Sequence, residues 1–171
     1  MRKEIIVFTV LTCLALTSFQ TVLASHNLSG HGEWVVKGGT VNCTQLSETE
    51  FTCTYDMTGM FHGTITGPFH WVMTEYVTIV SSKPNLLTAS LRGTIICDPC
   101  KVAGLTGTLT FSTNGDITEP KHSAAAWSGA LAVIDSGATG TGLAGTTGTG
   151  TFHTAEHTPS QEYSIQLTLP S

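Results

Sequence analysis

The sequence predicts an all-β protein: a small closed antiparallel barrel of about eight strands, with a disulfide-bridged hairpin near its N-terminus. Three observations predict it. The stretch Ser136 to Phe152, SGATGTGLAGTTGTGTF, alternates glycine with threonine and carries no charge. Glycine weakens strands and helices alike, so this density fits a chain whose strands coil sharply, whose backbones pass close together, or whose turns need positive φ. Charged residues make up only 11% of the chain, so threonine and glycine form the polar surface, which disfavours long solvent-facing helices. Finally, several segments alternate apolar and polar residues with the period of two that marks a half-buried strand.

At the N-terminus, Arg2 and Lys3 precede the apolar run Ile5 to Phe19, and Val22-Leu23-Ala24 offers the short residues that a signal peptidase reads. Residues 1–24 are expected to leave as a signal peptide, and residues 25–171 to form one secreted or periplasmic domain. The apolar run is short for a membrane span, and no further run of spanning length follows. Thr12 before Cys13 does not fit a lipoprotein cleavage box, so Cys13 is lost with the signal. After cleavage the five cations Lys37, Lys83, Arg92, Lys101 and Lys121 face eleven acids. That balance argues against nucleic acid as a partner.

Strands are predicted in order at Gly32–Lys37, Asn42–Leu46 and Phe51–Asp56. A hairpin turning at Leu46–Glu50 sets Cys43 opposite Cys53, close enough for a cross-strand disulfide in an oxidising compartment. From Phe61 to Val80 the odd positions, among them Ile65, Phe69, Trp71, Met73 and Glu75, share one face that points inward, while His62 and His70 fall on the outer face. Pro68 removes a backbone donor and marks a point where a bulge would reset that parity. Lys83-Pro84-Asn85 reads as a turn and Leu87–Ile96 as a strand. Cys97-Asp98-Pro99-Cys100 then carries three readings: a structural disulfide, a redox centre, or half of a zinc site. With no second CxxC in the chain, the structural bridge is favoured. Leu105–Phe111 alternates again, and Asn114-Gly115-Asp116 reads as a turn closing that strand. Ala124–Asp135 is read as a strand in preference to a helix because serine and glycine interrupt it. Gly148–His153 and Tyr163–Leu169 complete the set.

The order of FHGTITG (Phe61–Gly67), VAGLTGTLTF (Val102–Phe111) and WSGALAVIDSGATGTGLAGTTGTGTF (Trp127–Phe152), followed by a closing apolar strand, resembles an uncharacterised bacterial family with an allene-oxide-cyclase-like, calycin-type β-barrel. The resemblance spans roughly residues 55–170 and implies an eight-stranded antiparallel barrel, without implying an activity for the family as a class.

Glu75 is the candidate catalytic residue. A carboxylate sharing a face with Phe69, Trp71 and Met73 costs several kcal/mol to bury as an anion, and such a group acts as a general acid or base or fixes the polar end of a ligand. The competing reading places Glu75 wet at the barrel mouth, paired with Arg92. Phe69, Trp71, Met73 and Tyr163 are the candidate ligand-binding residues around an interior cavity. Gly140 to Gly145 matches GxGxxG, but glycines and threonines follow it where a dinucleotide site needs a helix. His153 and His157 lie four apart, which on a strand is about 13 Å, too far to share one ion. No cofactor or metal motif is read. Asn27-Leu28-Ser29 and Asn42-Cys43-Thr44 are glycosylation sequons. The functional expectation is a secreted barrel that binds a small apolar molecule inside, or serves a structural role; the alternative is a cyclase or isomerase, in which the barrel holds a reactive substrate in one conformation.

Overall fold

The computed structural model describes residues 25–80, 86–120, 127–137, 142–154 and 160–170. Eight strands follow one another: β1 (His26–Gln45), β2 (Glu50–Gly63), β3 (Ile65–Ile79), β4 (Leu86–Val102), β5 (Leu105–Pro120), β6 (Ser128–Asp135), β7 (Thr147–Thr154) and β8 (Ser160–Leu169). Each pairs antiparallel with the next, and β8 closes on β1 to complete a barrel. No helix occurs among the described residues. Closure leaves no sheet edge along the paired lengths, which suits strands this long.

The segment from Phe61 onward is two strands joined by a tight turn, with Gly63 at φ 103° and the Thr64 N–H donating to the His31 carbonyl at 3.0 Å. The inward parity nevertheless passes through the turn unchanged. Phe61 pairs with Gly67 and Tyr55 with Met73, so partners always differ by an even number and odd residues stay inside on both strands. Pro68 does not reset the parity. It faces Met60 on β2, and the register shifts instead on the β4 side, between Thr66 and Phe69. There the Cys97–Cys100 segment bulges against both β3 and β5, and its two buried cysteines form a disulfide. A second bulge, between Val36 and Gly38 on β1, switches that strand from even residues inward to odd. It thereby brings Cys43 opposite Cys53, to which it is bonded.

Asn114-Gly115-Asp116 is not a turn. It lies inside β5, paired with Leu91 and its neighbours on one side and Gly129 and its neighbours on the other. The glycine is there for close approach: a Cβ at Gly115 would stand 2.5 Å from the Ser128 carbonyl oxygen and 3.3 Å from the Phe152 ring. The predicted turn at Lys83-Pro84-Asn85 lies outside the described residues.

The core is aromatic. Trp34 is 0% exposed, and its ring meets those of Phe61 at 5.6 Å, Trp71 at 5.8 Å, Phe152 at 5.4 Å and Tyr163 at 6.2 Å. An eight-stranded barrel is just wide enough for side chains to fill it, and these rings occupy its middle. At the end away from the β1–β2 turn, the segment before β7 folds inward: Leu143 is fully buried in the core, and the Gly142 N–H donates to the Thr106 carbonyl at 3.1 Å. The opposite end is uneven, because β8 pairs with β1 only as far as Val35 while the β1–β2 hairpin continues to Gln45.

Candidate functional site

Strand β3 carries Glu75 inward near that uneven end, between Cys53 on β2 and Leu91 on β4. Glu75 is 6% exposed, and the Tyr55 hydroxyl donates a hydrogen bond to its Oε2. Tyr55 reaches it because residues 53 and 55 share the inner face of β2. Burial raises the Tyr55 phenol well above its usual pKa, and the hydrogen bond to Glu75 and the charge of Glu75 push it the same way. Arg92 faces outward opposite Thr74 and is exposed, so the reading of Glu75 as a wet carboxylate paired with Arg92 does not hold. Strand alternation sends neighbouring residues of one strand to opposite faces, which separates the two groups by the thickness of the wall. Beyond Glu75, toward the β1–β2 turn, the same face continues with Phe51, Val77, Ile79 and Leu87, all half-buried. A carboxyl–phenol pair thus stands at the foot of a partly open apolar wall.

The remaining candidates divide. Phe69, Trp71 and Met73 are interior. Trp71 donates its Nε1 hydrogen to Thr113 Oγ1 at 3.2 Å, and Phe69 packs on Phe61 at 5.2 Å between ring centroids. Met73 lies opposite Tyr55 and adjoins Glu75 on the inner face. Tyr163 lies elsewhere. Its hydroxyl accepts from the Ile65 N–H at 2.9 Å and lies 3.2 Å from the His62 carbonyl and 3.3 Å from that of Ile65. Ile65 opens β3 and Glu75 sits ten residues further on, which at strand rise is about 33 Å along the chain. Tyr163 therefore lies toward the opposite end of β3 from Glu75. Burial pushes the Tyr163 phenol up to about 12, against a lowering contribution from its Ile65 backbone bond.

Two residues that matter here were not singled out in the sequence. Tyr55 carries the signal of lying two positions after Cys53, hence on the same face. Trp34 carries none beyond its place in a short strand. Among the histidines, His62, His70 and His153 are exposed on the outer wall, with His70 Nε2 2.7 Å from Asp56 Oδ1; His122 and His157 lie outside the described residues. The disulfide at Cys97–Cys100 engages both sulfurs that a zinc half-site would need.

No family model matches the chain, and no curated protein matches it. Among solved structures it is similar to a DUF3224 family protein of unknown function from Shewanella oneidensis MR-1, with 14% identity and a TM-score of 0.56, covering 86% of this chain and 99% of that one. At that identity the likeness shows the fold alone. It fits an uncharacterised family, and nothing in the comparisons points to allene oxide cyclases in particular.

Proposed function

We propose that the chain works outside the cytoplasm as a β-barrel that binds a small, mainly apolar molecule at its uneven end, with Glu75 and Tyr55 holding the ligand's polar head. The observation that carries the reading is the Tyr55–Glu75 pair at the foot of the Phe51, Val77, Ile79 and Leu87 wall. An apolar body fits the wall, and a head that donates hydrogen bonds or carries positive charge fits the carboxyl. Two disulfides and the N-terminal signal-like segment support an exported protein. The test is tryptophan fluorescence titration with decylamine, decanol and decanoate. Decylamine is expected to give the strongest saturable response and decanoate the weakest. Glu75→Gln should weaken decylamine at least tenfold while leaving the melting temperature within a few degrees, since a charge-assisted bond contributes about 1.5–3 kcal/mol. No saturable response to any of the three would leave the structural role, which the ring-filled centre favours.

A cyclase or isomerase reading draws on the same pair. A phenol already bonded to a carboxyl in an apolar setting is placed to pass a proton to a held substrate. Turnover abolished by both Glu75→Gln and Tyr55→Phe, with binding retained, would select it over simple binding.

A further inference from the structure

The barrel wall is complete only as far as β8 reaches. Strand β1 pairs with β8 from His26 to Val35, while its pairing with β2 runs on to Gln45. Beyond Val35 no strand lies on the other side of β1 among the described residues. Successive residues of an antiparallel strand turn their N–H and C=O groups to alternate sides, so every second residue from Lys37 to Gln45 presents a donor and an acceptor along that side. All nine of these residues are exposed. Such a row is a template for one more strand, and its chemistry names the class of partner, an extended backbone.

Proteins blunt free edges with charges, prolines and bulges. The β1 edge is guarded only where it begins, by the bulge between Val36 and Gly38 and by the single cation Lys37. The residues that follow, Gly38 to Gln45 (GGTVNCTQ), carry neither charge nor proline. Val41 stands at the middle of the exposed run, a β-branched residue 48% exposed. An uncharged run offers no complement to an acidic or basic peptide, but it sets no charge against itself. Laid antiparallel on a second copy with the greatest overlap, it places a two-fold axis at Val41. Val41 then meets Val41 of the other copy, Gly39 meets Cys43, and Lys37 meets Gln45, so the one cation never faces its own copy while two β-branched side chains come together. Two-fold pairing of this kind is the commonest symmetry of soluble oligomers. We infer that the protein forms a two-fold dimer through the free edge of β1, the second copy's β1 taking the place that β8 leaves beyond Val35. The nine exposed residues a side fall well short of the roughly 20–30 of a standard interface, so the association depends on concentration, in the micromolar range or weaker. It holds whether or not a ligand enters the barrel.

The experiment is sedimentation velocity of the protein from about 5 µM to about 500 µM, with amide hydrogen exchange read by mass spectrometry at both extremes. Wild-type protein should shift from monomer toward dimer across that range, and the peptide covering Gly38–Gln45 should exchange about threefold more slowly at the higher concentration while the rest of the chain is unchanged. Val41→Lys and Val41→Glu should each weaken association at least tenfold, because like charges then stand opposite each other across the axis, and an equimolar mixture of the two should restore it. Val41 is exposed, so both variants should melt within a few degrees of wild type, which separates a lost edge from a lost fold. A monomer whose Gly38–Gln45 amides exchange freely at every concentration overturns the proposal and leaves the edge to a different chain. A monomer in which those amides are protected at every concentration overturns it too, since another segment of the same chain then covers the edge. A dimer that both variants leave intact uses another surface, which overturns it equally.

Discussion

Replacing Tyr163 by phenylalanine isolates one hydroxyl that joins distant parts of the chain. The hydroxyl accepts from the Ile65 N–H at 2.9 Å and lies within reach of two carbonyls, those of His62 and Ile65, to either of which it donates. The ring itself stacks on Trp34 with an interplanar angle of 17°, and phenylalanine preserves that packing. What is lost is the hydrogen bonding. Ile65 is fully buried, so its N–H is left without an acceptor, at a cost of about 1–3 kcal/mol, and the donated bond adds about 0.5–1.5 kcal/mol. The expected loss is therefore about 2–3 kcal/mol, a fall in melting temperature of about 5–10 °C for a domain of this size. Urea unfolding followed by tryptophan fluorescence measures it. A loss below about 0.5 kcal/mol would refute the reasoning and release the hydroxyl for a ligand. A loss above about 4 kcal/mol would mean that the ring has moved as well, which Tyr163→Leu would then match and not exceed.

The same tyrosine predicts an alkaline limit. An unfolded tyrosine ionises near pH 10, but Tyr163 is held up to about 12 and Tyr55 is raised too, both chiefly by burial. Their contribution is present in full below pH 10 and is lost as pH climbs toward and past 12, so the urea midpoint should fall between pH 10 and pH 12 and fall less in Tyr163→Phe; equal slopes in the two proteins would contradict the assignment. The two disulfides should reduce in order. Cys43 is exposed whereas Cys97 and Cys100 are buried, so mild thiol treatment followed by alkylation and mass spectrometry should label Cys43 and Cys53 first. Opening that loop should cost about 2–3 kcal/mol in the chain-entropy picture; prior labelling of Cys97 and Cys100 would reverse the order.

Much of the barrel was legible because alternation is a local signal that survives whatever joins the strands. The inward face of β3 was readable from Phe69, Trp71, Met73 and Glu75 alone, and the Cys43–Cys53 hairpin from its turn and spacing. Turn chemistry was less reliable. Asn114-Gly115-Asp116 has the composition of a turn, yet Gly115 serves the approach of β6 and the Phe152 ring, a contact made by residues far along the chain. Likewise the Phe61–Ile79 stretch hid a turn, since Gly63 and Thr64 reverse the chain without disturbing the parity on either side. The grouping of site residues failed where it depended on distance along a strand: Tyr163 and Glu75 share the barrel's inner face but lie toward different ends of it. The placing of Tyr55 opposite Met73 and beside Glu75 required the register between strands, which no single strand encodes.

The placement of Glu75 also bears on why the residue is there. Inside a β-barrel, a tyrosine and a glutamate joined by a hydrogen bond offset each other's desolvation only in part, and a leucine and a phenylalanine of similar volume would serve packing at least as well. The core shows how apolar this chain makes its interior where packing alone decides: Leu91, Ile95, Phe111, Leu131 and Ile165 are all essentially inaccessible. Two other polar interior side chains have structural partners, Thr113 taking the Trp71 N–H and Gln161 the Thr154 hydroxyl, whereas the buried Thr146 Oγ1 and Trp34 Nε1 have none. The Tyr55–Glu75 pair differs in chemistry and in position. It can carry charge, and it borders the wall of Phe51, Val77, Ile79 and Leu87, where the barrel is uneven and side chains are only half covered. In the proposed function, a group that is costly to bury, set where the interior meets the open end, is what holds the polar head of a ligand entering from that end, and the apolar residues above it set the character of that ligand.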